Sequence, residues 1–200
     1  DEEPVLSTLG SQSPNMESND VIKFENVSFS YGRETVLHNL TFSIMKGEKI
    51  AIVGETGAGK STIAKLILRF YLSTEGDVKF YNQPSKEVSQ RWARKNIAYV
   101  PQESFLFRGT IRDNLIYSNP KKIKLEQELN EMGVLGWFDR YENGLDQEVG
   151  ERGSNVSAGE RQFIALLRAV LAKREIIVFD EDTANLDIES ENSILEATDT

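Results

Sequence analysis

The sequence predicts an α/β fold with a parallel sheet at its core and an added antiparallel sheet near its start. Three observations predict it. Short apolar runs stand at Ile50-Ala51-Ile52-Val53, Ile97-Ala98-Tyr99-Val100 and Ile176-Ile177-Val178-Phe179; the first ends in glycine, as a buried parallel strand does. Segments with helical spacing separate these runs, and strands alternating with helices imply a parallel sheet. The earlier stretches VIKFENVSFSY and LTFSI mix alternation with β-branched and aromatic residues, which suits an antiparallel sheet.

Taken in order, residues 1–20, DEEPVLSTLGSQSPNMESND, are rich in Ser, Pro, Asn and acids and lack a sustained period. They read as a mobile linker. The chain begins with Asp and not Met, so the expectation is a piece of a longer protein, with the linker leading from something upstream. Strands follow from Val21. After Ile50–Val53, a helix is expected over Lys60–Tyr71, then strands at GDVKFYN and IAYV. Residues 110–139 carry mostly helical patterns. The spacing of Phe163, Leu166, Leu167 and Val170 predicts an amphipathic helix from about Ala158 to Ala172. The run IIVF forms a strand, and IESENSILEA begins another helix. There are no repeats of architectural length.

At 200 residues the chain can bury one substantial core. Its 39% hydrophobic and 28% charged content suits a soluble globular protein. No apolar run approaches the roughly 18 residues of a membrane helix, and no secretory leader is evident. Cysteine is absent, which excludes disulfides and thiolate metal sites; the single histidine, His38, excludes a multi-histidine centre. Of the formal charge of −9, five negative charges (Asp1, Glu2, Glu3, Glu17, Asp20) precede residue 21, where no Lys or Arg stands. No basic stripe stands out in the remainder, so nucleic acid is not an expected partner.

The strongest chemical signal is GETGAGKST, residues 54–62, which fits G-x-x-x-x-G-K-[ST] through Gly54, Gly59, Lys60 and Ser61. An apolar run precedes it and a helix follows. Glycines let backbone N–H groups curl around phosphate oxygens, and the helix N-terminus adds a positive dipole end. Lys60 can reach β- and γ-phosphates, and Ser61 can ligate Mg²⁺. The alternative is a glycine-rich turn before an ordinary helix.

That loop gives meaning to VFDEDTANLD, residues 178–187. In a nucleotide-binding sheet, ligands sit at the carboxyl ends of the strands. The strand IIVF would deliver Asp180 and Glu181 to that edge, on opposite sides because strand side chains alternate. Asp180 suits a contact to Mg²⁺. Glu181 suits the position of a general base facing an attacking water. Between the two motifs lies NVSAGERQ, residues 155–162, where Ser157, a small residue and Gly159 stand before a helix. This is either a second phosphate-facing helix N-terminus or an ordinary N-cap by Ser157.

Taken together, residues 21–200 resemble the nucleotide-binding domain of an ABC transporter of the exporter type. GETGAGKST resembles Walker A, YVPQESFLFRGTIRDNL the exporter Q-loop region, VSAGERQ the signature usually written LSGGQRQ, IIVFDE Walker B with the catalytic glutamate, TANLD the D-loop, and QEVGERG (147–153) the X-loop that senses the membrane domain. The resemblance implies a P-loop NTPase (RecA-like) parallel-sheet core, an N-terminal antiparallel β subdomain and an inserted helical subdomain over about residues 103–172. It implies that ATP is held by Gly54, Glu55, Thr56, Gly57, Ala58, Gly59, Lys60, Ser61 and Thr62, with Tyr31 of VSFSYG stacking on adenine, unless Tyr31 is simply a core strand aromatic. It implies Mg²⁺ at Ser61, Gln102 and Asp180, with Gln102 the Q-loop glutamine, and catalysis by Glu181. It further implies a head-to-tail partner domain, whose nucleotide Ser157 and Gly159 would face while Asp187 crosses the contact. Transmembrane domains of the same transporter would place the domain on the cytoplasmic face of a membrane.

The sequence also departs from the pattern. Ala158 replaces the first signature Gly, Glu160 the usual Gln, and Asp182 the usual Ala. Asp182 either raises the proton affinity of Glu181 or stands solvated and inert. No histidine follows the D-loop within the chain, so the family's switch histidine and final strands are expected beyond Thr200. The expected function is ATP binding and hydrolysis driving export. Rival readings are a catalytically weak regulatory subunit of an asymmetric pair, an ABC ATPase without membrane partners, and a GTPase switch or small-molecule kinase sharing only the phosphate loop.

Overall fold

The first sheet follows from an alternation that slips once. β1 (Asp20–Tyr31) buries Ile22 and Phe24, then Val27 and Phe29. The spacing changes from two to three because Asn26 takes φ 48° and bulges out of the ladder. Such a bulge adds one residue and returns the apolar set to the same face. The bulge is tied by Thr41 Oγ1, which accepts from the Asn26 amide at 3.0 Å and donates to Asn26 Oδ1 at 3.2 Å. β2 (Glu34–Met45), β3 (Glu75–Phe80) and β4 (Gln83–Pro84) complete an antiparallel sheet in the order β2-β1-β3-β4. The structure is a computed structural model that describes residues 10–117 and 124–180. The chain divides into two units, residues 1–97 and 98–200.

In the first unit, α1 (Lys60–Ile67) buries Ile63, Ala64, Leu66 and Ile67. It stops four residues before the expected Tyr71. Arg69 takes φ 56°, with its amide bonded to Leu66 O at 3.0 Å and that of Phe70 to Lys65 O at 2.9 Å. This pair of bonds closes a helix C-terminus, usually around glycine. α2 (Gln90–Asn96) is capped by Ser89, whose Oγ accepts from the Trp92 amide at 3.1 Å. Trp92 is buried against Phe80 and Tyr81, with ring centroids at 5.5 and 6.2 Å.

The described end of the N-terminal segment is anchored. Gln12 forms a parallel bridge to Val88, its amide donating to Glu87 O at 3.1 Å and its carbonyl accepting from the Ser89 amide at 2.8 Å. Pro14 is buried. The Arg69 guanidinium donates to the Val88 carbonyl from the end of α1. At Gln12 the backbone groups of this segment have thus found partners in the first unit.

The run Ile50–Val53 is not the buried strand the sequence suggests. It joins none of the ladders among the described residues, and Ile50, Ile52 and Val53 are exposed, Val53 to 88%. An apolar run becomes a strand only where its amides and carbonyls pair with a neighbour, and no ladder among the described residues supplies one.

The second unit begins around β5 (Ile97–Val100) and continues through β6 (Gly109–Thr110), α3 (Ile111–Ile116), α4 (Leu125–Glu131), β7 (Glu148–Val149), α5 (Ala158–Leu171) and β8 (Ile176–Phe179). α5 is central: Phe163, Ile164 and Leu167 are fully buried with Leu115, Leu129 and Phe138. Trp137 lies over Phe163 at 4.1 Å. α3, α4 and the 3-10 turn at Leu135–Arg140 fulfil the helical patterns expected over residues 110–139, and a further 3-10 turn follows at Gly144–Asp146. β5 pairs with β8, and β6 with β7.

Candidate functional site

In the first unit, residues 54–58 form an exposed loop that leads through the buried Gly59 into α1. A turn closes between the Ala58 amide and Glu55 O at 3.1 Å, within the run Gly54, Glu55, Thr56, Gly57, Ala58. Gly59 is the N-cap of α1 at φ 88°, ψ 9°. A Cβ there would lie 2.6 Å from Leu37 Cδ2 and 3.2 Å from Val36 Cγ1, so glycine is required both by conformation and by space. Lys60 turns back over the loop and donates to the carbonyls of Gly54 at 2.7 Å and Glu55 at 2.9 Å. Its ammonium is thus held on the loop at the helix N-terminus, whose first turn carries no acid. Ser61 is exposed on that turn and Thr62 is buried. This is a cationic, donor-rich cradle suited to phosphate oxygens.

Tyr31, at the end of β1, belongs to the same neighbourhood. Its hydroxyl is 3.5 Å from Thr62 Oγ1, and the Lys65 ammonium lies 5.7 Å from its ring centroid. The ring is 37% exposed. It is therefore not a fully buried strand aromatic, and it retains surface on which a planar base can stack.

In the second unit, the exposed Ser157 caps α5 and Gly159 lies half-buried in the helix's first turn. Ser157 Oγ accepts from the Glu160 amide at 3.2 Å, while the Ser157 amide donates to Glu160 Oε2 at 2.8 Å. This reciprocal pair is a capping box. Glu160, one of the departures, is thereby folded back onto the cap. Burial disfavours its charge, but hydrogen bonding to its carboxylate by Ser157 and Tyr141, with the nearby Arg140, lowers its pKa on balance. Burial, then the nearby Glu160 carboxylate, raises the buried Tyr141 hydroxyl above the usual phenol range. Ala158 is the first residue of the helix, where Ala is well suited. Arg161 donates to the carbonyls of Gly153 and Val156, pinning the turn before the cap.

The ends of β5 and β8 form the other feature. The Asp180 amide donates to Val100 O at 3.0 Å. The carboxyl ends of both strands therefore lie at one edge, as the sequence argument requires, with Asp180 beyond one and the exposed Gln102 beyond the other. Asp180 Oδ2 accepts from the Tyr99 hydroxyl at 2.9 Å. Burial, reinforced by Asp180, pushes the Tyr99 phenol up to about 12. Sequence reasoning placed Tyr99 in a strand and at the start of the Q-loop region; its position beside Asp180 needs the ladder to be seen. Asn114 fixes the segment after Gln102, accepting from the Phe107 amide at 2.8 Å and donating to the carbonyls of Phe107 and Thr110, both at 2.9 Å. A groove of about 540 Å³ is lined by residues of the paired β6 and β7 segments, with Arg108, Glu148 and Glu151 on its walls. Glu181, Asp182 and the TANLD segment through Asp187 lie outside the described residues.

Among the described residues, no group of three or more His, Cys, Asp or Glu side chains is arranged to hold a metal ion. Also among them, no helix is long and apolar enough to cross a membrane.

Comparison with known proteins bears on this arrangement. The ABC transporter family model matches residues 37–184. The uncharacterized ABC transporter ATP-binding protein YknV of Bacillus subtilis is 39% identical over 203 residues, covering 100% of this chain and 34% of that protein. An ATM1-type heavy metal exporter of Novosphingobium aromaticivorans is 40% identical over 177 residues, covering 87% of this chain and 29% of its own length. Among solved structures, a bacterial Atm1-family ABC exporter with ATP bound superposes with a TM-score of 0.85 at 36% identity, over 96% of this chain and 34% of that one. The chain thus spans about a third of the length of the relatives it matches.

Proposed function

Because the chain belongs to the ABC transporter family, we propose that it is the ATP-binding and ATP-hydrolysing domain of an exporter, driving a substrate across a membrane. The carrying observation is the phosphate cradle: Lys60 poised over the Gly54 and Glu55 carbonyls at the open N-terminus of α1. When a triphosphate enters, its oxygens replace those neutral carbonyls as partners of the ammonium, a stronger charge-assisted pairing. The remaining loop residues, Glu55 to Gly59, supply backbone donors, and Tyr31 supplies a face for adenine.

Ser61, Gln102 and Asp180 are the residues that would hold Mg²⁺. One carboxylate with a hydroxyl and an amide is a poor cage by itself, but it fits an ion that takes its other ligands from phosphate and water. When bound, the ion would neutralise charge on the phosphoryl oxygens. Tyr99 keeps the Asp180 carboxylate oriented by donating to it. Glu181 would accept the proton of the attacking water, so that catalysis consists of positioning and charge stabilisation. Ser157 and Gly159 face the nucleotide of a second such domain in a head-to-tail dimer, and Glu160, through the capping box, keeps that helix end well formed. Transmembrane domains of the same transporter would select the substrate and hold this domain at the cytoplasmic face.

Lys60→Ala tests the assignment. Losing bonds to a charged group should weaken Mg-ATP binding roughly 10- to 100-fold, while circular dichroism shows an unchanged fold. Wild-type ATP affinity in the folded variant would refute the reading.

A further inference from the structure

Tyr31 does not stand alone at its end of the sheet. Phe29, two residues earlier on β1, meets its ring edge-to-face at 4.8 Å and 88°. Tyr71, just beyond the closed end of α1, meets it at 5.4 Å and 89°. Phe29 and Tyr71 also touch, at 5.5 Å. The three rings therefore form a closed triangle. Phe29 is buried at 5% exposure, so it belongs to the core; Tyr71 is 40% exposed and does not. A core need alone does not account for an aromatic ring at that half-open corner. The αL turn at Arg69, which ends α1 early, is what brings Tyr71 there.

We propose that Tyr71 is a positioning residue for the nucleotide base, holding the Tyr31 ring in the orientation on which a purine stacks. This rests on Tyr31 being the base-stacking residue. Edge-to-face pairs are directional, because the positive ring edge seeks the negative face of its neighbour. Two such contacts at right angles, from Phe29 and Tyr71, fix both tilt and rotation of Tyr31. The Thr62 contact and the Lys65 ammonium hold the same ring from α1. With Tyr71 removed, Tyr31 keeps its place in β1 but gains freedom that must be lost again when a base docks. The triphosphate cradle, built on Lys60 and the loop backbone, is untouched.

The test separates base from phosphate. Affinities for Mg-ATP and for Mg-tripolyphosphate are measured by calorimetry on the full chain for wild type, Tyr71→Ala, Tyr71→Phe and Tyr31→Ala. Tyr71→Ala should lower the preference for ATP over tripolyphosphate about three- to tenfold, the scale of one aromatic pair, with tripolyphosphate affinity unchanged. Tyr71→Phe, which keeps the ring, should match wild type. Should Tyr71→Ala fail to fold, Tyr71→Leu retains bulk against Phe29 without an aromatic edge and should show the same loss. An unchanged preference in a folded Tyr71 variant, or equal loss of both ligands, overturns the proposal. If Tyr31→Ala itself leaves the preference unchanged, the stacking role of Tyr31 fails, and the role of Tyr71 falls with it.

Discussion

Gly57 and Gly59 offer a paired experiment on the phosphate loop. Both take φ 88°, yet a Cβ on Gly57 would meet nothing within 4 Å, whereas one on Gly59 would lie 2.6 Å from Leu37 Cδ2. Gly57→Ala therefore carries only the left-handed backbone penalty, about 1–2 kcal/mol. Gly59→Ala carries the same penalty plus overpacking against the buried Leu37, about 1–3 kcal/mol more. At about 2–4 °C per kcal/mol for a chain of this size, the Gly59 variant should melt roughly 2–12 °C below the Gly57 variant. Differential scanning calorimetry of the two proteins side by side measures that gap, and both must be compared without nucleotide, because ligand binding shifts melting by mass action. Gly59→Ala should also weaken ATP binding more, since the added methyl crowds the N-cap of α1 beside the Lys60 cradle. Equal melting temperatures for the two variants would refute the packing argument, as would a lower value for Gly57→Ala.

Ser157→Ala removes the cap of α5 and should cost about 1 kcal/mol, seen as a small fall in melting temperature. Glu160→Gln keeps an acceptor for the Ser157 amide and should change stability little at low pH. Because the folded-state pKa of Glu160 is lowered, its charge contributes fully above the unfolded carboxylate range. The advantage of wild type over Glu160→Gln should therefore shrink as the pH falls through that range, as urea titrations at several pH values would show. Glu25, hydrogen-bonded by Lys23 and Lys79, has its pKa held down to about 2. An NMR titration of its carboxyl carbon should find a midpoint far below the other glutamates, rising as salt screens this exposed cluster.

Much of the site was legible because its chemistry is local. The Gly59-Lys60 junction, the Ser157 cap and the strands ending at Val100 and Phe179 each depend on residues a few positions apart. What escaped the sequence depends on distant partners. The early stop of α1 is made by an arginine in a conformation usually left to glycine, so no breaker announces it. The apolar run Ile50–Val53 carried a strand's composition without the ladder that makes one. Tyr99 meets Asp180 across 81 positions, and Gln12 meets Val88 from the far side of the first sheet's sequence. Glu160 is the local exception: in the sequence it stands only as a departure from the signature, and the fold shows it capping with Ser157 three residues away.

The anchoring of Gln12 has a mechanical consequence. Its two backbone bonds to Glu87 and Ser89 flank one parallel bridge, so a pull along the segment strains both at once, in shear, instead of unzipping them singly. The load passes to Val88, whose carbonyl is gripped by Arg69 at the far end of α1. That helix of eight residues is a rod about 12 Å long, and its other end carries Lys60 and the phosphate cradle. Tension on residue 12 and capture of an anion at residue 60 thus act on opposite ends of one stiff element, in series.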